Sequence, residues 1–277
     1  MEILSHLDKF FLYFCLIVVG SCIGSFLNVV RLRSKRRESI IYPSSYCFKC
    51  KTKIPFYFNI PILSWIILGG KCSACGKKID ISYLFVELIL AVTFVLNGFS
   101  NNYFNNNYLE LIGLCILSSY LLLIALVDYD TLKIPNSFLI TGSITGLLLL
   151  SLAEDGFMEI FPAILYRLFC AFAGFFTLEA ITYVYFALTR KIGFGAADSK
   201  YIAFIGIWIG LNGMYLSLLL AIYIAGIFSL VGLSLGRIKK YTKIPFGPFI
   251  SIGSYIVLIL GQELCLSLLA YPFKFII

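Results

Sequence analysis

The sequence predicts an all-α polytopic membrane protein of about eight transmembrane helices, with a cytoplasmic four-cysteine zinc-binding loop between the first two. Three observations carry that prediction. Hydrophobic residues make up 60% of the 277 positions and charged residues only 13%, about half the charge of an ordinary soluble domain. The apolar residues fall into runs long enough to cross a bilayer, which takes about 20 residues as a helix. Most of the basic residues fall between those runs on one side.

The runs read 10–30, 83–99, 108–127, 137–153, 161–188, 201–211, 214–235 and 246–270. The sixth is short and the fifth long, so their ends are the softest. The first is too long for the apolar core of a signal peptide and reads as a retained anchor. Nineteen of the 22 Lys and Arg residues lie in the segment 31–82 and in alternate later loops, whereas the opposite loops are FSNNYFNNNY and the acidic AEDGFMEI. The positive-inside bias then makes the basic loops cytoplasmic and puts both termini outside. The net charge of +8 is thus a topology signal rather than a mark of nucleic-acid binding, with anionic lipid as a minor contact.

The first cytoplasmic segment holds Cys47-x2-Cys50 and Cys72-x2-Cys75, with twenty-one residues between the pairs. Each pair offers two thiolates to one ion, and two pairs at this spacing predict a tetrahedral zinc site. Disulfides are the competing use, but they rarely persist in the cytoplasm. Four thiolates leave no open coordination position, so such a zinc is structural.

Two acids stand at the cytoplasmic ends of spans. LLLIALVDYDTLKIPNS brings Asp128 directly after lipid-compatible residues, and GFGAADSKY brings Asp198 seventy residues later to the same predicted face. Two carboxyls in a partly dehydrated site share a proton. One then acts as base on a water held between them, which is aspartyl protease chemistry. Asp130 competes with Asp128, since the two are about 200° apart around a helix and periodicity does not choose. A proton-coupled transporter is the rival reading of such acids, but no internal repeat of the transporter kind is visible. A zinc-stabilised scaffold without chemistry is the third.

These residues resemble the bacterial type IV prepilin peptidases, or leader peptidase/N-methyltransferases, which are GxGD-type intramembrane aspartyl proteases. The resemblance spans most of the chain, through GSFLNVV, the four-cysteine loop with NIPILSW and GGKC, ISYLFVE, DYDTLKIPN and IPFGPFISIG. It implies cleavage of the basic leader of prepilins and pseudopilins at the cytoplasmic side of the bacterial inner membrane. It also implies N-methylation of the new terminus with S-adenosylmethionine, in support of type IV pilus or type II secretion assembly. The spacing to Pro135 selects Asp128 as the first catalytic residue by resemblance, and Asp198 falls on the second. Gly193, Gly195 and Lys200 are supporting positions. The family pattern has Gly directly before the second Asp; Ala197 stands there in this chain. No Gly-rich nucleotide fingerprint is present. By resemblance, methyl transfer belongs to residues 1–99, with Gly70, Lys71 and Glu87 as candidate cofactor-binding positions, and the peptidase to residues 100–277.

Overall fold

The computed structural model describes residues 2–42, 44–104, 107–153, 157–191, 193–237, 239 and 243–270. The acidic pair Glu154 and Asp155, and the basic Lys240, lie outside the described residues. Among the described residues the only pairing of extended backbone is two isolated bridges, Tyr46 with Lys53 and Lys71 with Lys78; everything else regular is helical. The chain divides into two compact units, Met1–Asn107 and Tyr108–Ile277.

In the first unit, α1 (Glu2–Arg36) and α3 (Ser82–Phe104) form an antiparallel pair. Gly20 and Gly24, spaced as in a GxxxG motif, let the backbones touch. A Cβ on Gly20 would sit 2.9 Å from the Ala91 Cα, and one on Gly24 2.8 Å from the Glu87 Cα. Such small-residue seams are how helices associate where lipid removes the hydrophobic drive. Between the two helices runs a loop with one 3-10 turn (Phe56–Asn59) and the short helix α2 (Leu63–Ile67). Arg33 is buried at the end of α1 and gives hydrogen bonds of 2.9 Å to the carbonyls of Ser39 and Ile40. It thereby ties the segment that follows the helix back onto the last turn of α1.

The second unit contains α4 (Tyr108–Thr131), α5 (Asn136–Leu152), α6 (Phe157–Thr189), α7 (Ala196–Ser234), α8 (Gly247–Leu260) and α9 (Gln262–Ala270). Its core is built around α7, with Tyr201, Phe204, Ile205 and Met214 packed on Leu121 and Ile124 of α4 and Ile250 of α8. Helix α7 is not continuous: Gly210 has φ 79° and ψ −177°. A Cβ on Gly206 would lie 3.0 Å from the Met214 sulfur, although eight residues of straight helix rise about 12 Å. The chain therefore turns back at Gly210, and the two halves of α7 are the sixth and seventh apolar runs. Breaking a helix in an apolar surrounding frees carbonyls that need donors. Arg167 supplies them to Ile207 and Trp208 at 3.5 and 3.3 Å, and Gln262 to Ile209 at 3.4 Å.

By length and composition, α1 from Lys9, α3, α4, α6 and α7 can each cross a membrane, while α5 and α8 are shorter apolar helices. The last apolar run is split into α8 and α9 at Gly261, where φ is 79°.

Candidate active site and metal centre

In the first unit the four predicted metal ligands come together. The sulfurs of Cys47, Cys50, Cys72 and Cys75 all lie within 4.8 Å of one another, and Cys50 and Cys72 are 4.0 Å apart. A tetrahedral zinc with bonds of about 2.3 Å fits that spacing. The two pairs are also built alike. The Cys47 amide donates to the Thr52 carbonyl and the Lys51 amide to the Cys47 carbonyl. Likewise, the Cys72 amide donates to Lys77 and the Gly76 amide to Cys72, all at 2.8–2.9 Å. The fourth residue after each first cysteine has positive φ, 61° at Lys51 and 66° at Gly76. Hydrogen bonds from the side chain and amide of Thr52 pull the Cys50 thiol down to about 6. Those from the amides of Cys75 and Ala74 lower Cys72 as well. At Cys75 the Lys77 backbone hydrogen bond lowers the thiol, but burial and the three neighbouring thiols outweigh it and push it up to about 11, so the cluster holds its charge unevenly until a cation is shared among the four sulfurs.

The candidate methyl-transfer residues are not assembled in the same way. Gly70 is buried with φ 65°, and a Cβ there would lie 2.7 Å from the Trp65 ring. The Glu87 carboxylate is buried and accepts the Ile62 amide at 2.7 Å. That bond holds a turn in which Ile62 itself has φ 64°. Lys71 is exposed. The glycine packs on Trp65, the acid holds the Ile62 turn and the lysine faces outward.

In the second unit, helix packing gives the two acids that periodicity left equivalent different surroundings. Asp128 is 6% exposed in the last turn of α4, and its Oδ2 accepts the Gly247 amide at 2.8 Å. Asp130, two residues on, is half-buried. Gly247 opens α8 within Pro-Phe-Gly-Pro, and its amide is one of those a helix start leaves without an internal partner. A Cβ on Gly247 would meet the same carboxylate oxygen at 2.7 Å.

Asp198 is held by a parallel device. It is the third residue of α7, and its Oδ2 reaches back to the Gly195 amide at 2.9 Å, the acid half of a capping box. The Asp128 carboxylate acts electrostatically on Asp198, so the two acids share one neighbourhood. Phe194 and Phe246, each preceding one of the two amide-donating glycines, pack with ring centroids 5.0 Å apart. Lys200 is exposed and donates from Nζ to Asn136 Oδ1 at 3.2 Å, which ties the start of α7 to the start of α5. A Cβ on Gly193 would lie 3.0 Å from the Tyr185 ring.

Ala197 sits in the first turn of α7, packed on the core and absent from the positions with positive φ. A helical φ explains why alanine is accepted where the pattern has glycine, since the methyl group costs nothing in that conformation. An apolar cavity of about 260 Å³, lined by Leu109, Gly113, Leu149 and Trp208 among others, lies at the opposite end of α4 from Asp128. The sequence shows Gly247 within Pro-Phe-Gly-Pro but carries no signal that its amide reaches Asp128.

Comparisons with known proteins identify the family. Residues 18–100 match the bacterial peptidase A24 N-terminal domain, and residues 115–230 match the type IV leader peptidase family. A prepilin leader peptidase/N-methyltransferase of Neisseria gonorrhoeae is 31% identical over 264 residues, 87% of each chain. One of Pseudomonas aeruginosa is 30% identical over 296 residues, covering 98% of this chain and 99% of its own. One of Myxococcus xanthus is 33% identical, covering 82% of this chain and 65% of its own. No solved structure matches. Two domain matches in order and relatives aligned nearly end to end place the chain in the type IV leader peptidase family.

Proposed function

We propose that this protein is a prepilin leader peptidase and N-methyltransferase of the bacterial inner membrane, with Asp128 and Asp198 as its catalytic pair. The observation that carries the reading is the matched holding of the two carboxylates. Each accepts one glycine amide through Oδ2, which leaves its other oxygen for a water or a substrate carbonyl. One carboxyl carries a proton and the other is the base. The base takes a proton from the water as its oxygen attacks the scissile carbonyl, and the acid protonates the carbonyl oxygen. Collapse of the tetrahedral diol then breaks the C–N bond: the protonated former base gives its proton to the leaving nitrogen, and the other carboxylate takes one from a diol hydroxyl, which releases the amine of the mature pilin and restores the pair. Gly193 and Gly195 shape the loop before Asp198, and Lys200 anchors it to α5.

The positive-inside count directs this site to the cytoplasm, where a basic leader would meet it, while the apolar pilin helix stays in lipid. The four cysteines hold a structural zinc, which would pin the two ends of the loop between α1 and α3. Methyl transfer to the new terminus belongs to the first unit, about residues 1–99, and draws on S-adenosylmethionine as donor. Pilin or pseudopilin processing of this kind serves type IV pilus or type II secretion assembly.

The test is cleavage of a prepilin in detergent by the wild type and by Asp128→Asn, Asp130→Asn and Asp198→Asn. The first and third should lose cleavage by at least about a thousandfold, and Asp130→Asn should keep it. Normal cleavage by Asp128→Asn and Asp198→Asn would sink the aspartyl reading.

A further inference from the structure

A second set of polar groups joins the same three helices just beneath the carboxylates. The hydroxyls of Tyr201 on α7 and Ser251 on α8 are 2.7 Å apart, with Tyr201 fully buried and Ser251 nearly so. Ser251 Oγ is also 2.9 Å from the Leu121 carbonyl on α4, and 3.0 Å from the Gly247 carbonyl one turn back on its own helix. A serine hydroxyl has one proton to donate. Donation from Ser251 to Tyr201 would strand the tyrosine proton in a place sealed from water, a costly arrangement. The arrangement that satisfies both groups runs from Tyr201 O–H to Ser251, and from Ser251 O–H to the main-chain carbonyls.

The register of this chain is informative. Tyr201 is three residues after Asp198, Ser251 four after Gly247, and Leu121 seven before Asp128. Offsets of three, four and seven keep residues on one helix face. Each helix that supplies a piece of the carboxylate site therefore supplies, on the same face, a piece of the chain below it.

We infer that Tyr201 and Ser251 are positioning residues for the peptidase reaction, a hydrogen-bonded clamp that fixes the spacing of the two carboxylates. The inference rests on the aspartyl peptidase reading above. Apolar packing alone would let three helix ends slide by fractions of an ångström, and small misplacements of reacting groups are expensive in rate. A directed hydrogen bond across α7, α8 and α4 resists that sliding where the catalytic carboxylates need it.

The experiment uses full-length Tyr201→Phe, Ser251→Ala and the double variant in detergent. Prepilin cleavage and methylation of an already cleaved pilin are measured on the same preparations. Each single change should lower kcat about tenfold with KM within about twofold. The double variant should be no more than about twofold worse than the poorer single, because both break one chain. Methylation should be unchanged. Wild-type kcat in Tyr201→Phe, additive losses, or a fall in kcat that tracks a fall in methylation would each overturn the clamp. Asp128→Asn and Asp198→Asn run alongside. If they cleave normally, the aspartyl reading fails and the clamp falls with it. If they are inactive while Tyr201→Phe is fully active, the clamp alone fails.

Discussion

Phe194 and Phe246 pack ring against ring, 5.0 Å between centroids, and each immediately precedes the glycine whose amide holds one of the two acids. The aromatic contact therefore couples the loop that grips Asp198 to the segment that grips Asp128. Aromatic pairs contribute about 0.5–1.5 kcal/mol beyond their area. Phe246→Ala should slow prepilin cleavage by about three- to tenfold. Adding Phe194→Ala should cost little more, as a double-mutant cycle on kcat will show.

Gly247→Ala places a Cβ 2.7 Å from the Asp128 Oδ2 and 3.0 Å from its Cβ, so the carboxylate must move. Cleavage should fall by at least about a hundredfold. Gly226→Ala is the matched control, because a Cβ there meets nothing within 4 Å. Helix propensity favours alanine at that site by about 1 kcal/mol, so its thermal midpoint should rise or hold while activity stays at the wild-type level.

Restoring the family glycine should gain nothing. Ala197 is helical, and glycine in a helix costs up to about 1 kcal/mol relative to alanine. Ala197→Gly is expected to keep kcat within about twofold and to lower the thermal midpoint slightly. A large rise in kcat would show that the methyl group had been restraining the site.

The two cysteine turns predict opposite outcomes for equivalent positions. Lys51 holds φ 61° with a side chain, while Gly76 holds φ 66° with free space around its Cβ position. The left-handed conformation costs an L-residue roughly 1–2 kcal/mol. Gly76→Ala should therefore weaken zinc retention against a chelator, and Lys51→Gly should preserve or strengthen it. The wild type should carry one zinc per chain, lost on Cys72→Ser, by elemental analysis.

Glu87 separates bracing from chemistry. Its carboxylate accepts the Ile62 amide, a task that a glutamine carbonyl can also perform. Glu87→Gln should leave methylation near wild type. Glu87→Ala should destabilise the first unit by about 1–3 kcal/mol through the unpaired amide. Abolished methylation in a folded Glu87→Gln would show instead that the charge takes part.

Much of this protein was legible without coordinates wherever the signal is local. Membrane residence follows from composition. The metal turns follow from Cys-x2-Cys, because each turn closes on itself within six residues. The reversal at Gly210 was not legible, since that glycine lies inside the apolar run 201–211. Asp128 was legible through the resemblance alone, since 200° of helix rotation separates it from Asp130 and the pattern does not say which side faces a neighbour. Gly70, Lys71 and Glu87 were legible through the resemblance alone, since no local pattern links a turn glycine, a surface lysine and a helix acid.

The sequence by itself determined the helical membrane class, the four-cysteine site and the two acids at span ends, because spacing and hydropathy act over a few residues. Only the tertiary structure decided which amides grip those acids, that Ala197 is helical, and that Tyr201 and Ser251 meet. The physical reason is distance along the chain. Gly247 lies 119 residues from the aspartate it holds, and Ser251 lies 130 residues from Leu121. Contacts of that range come from how helices pack, which no local pattern records.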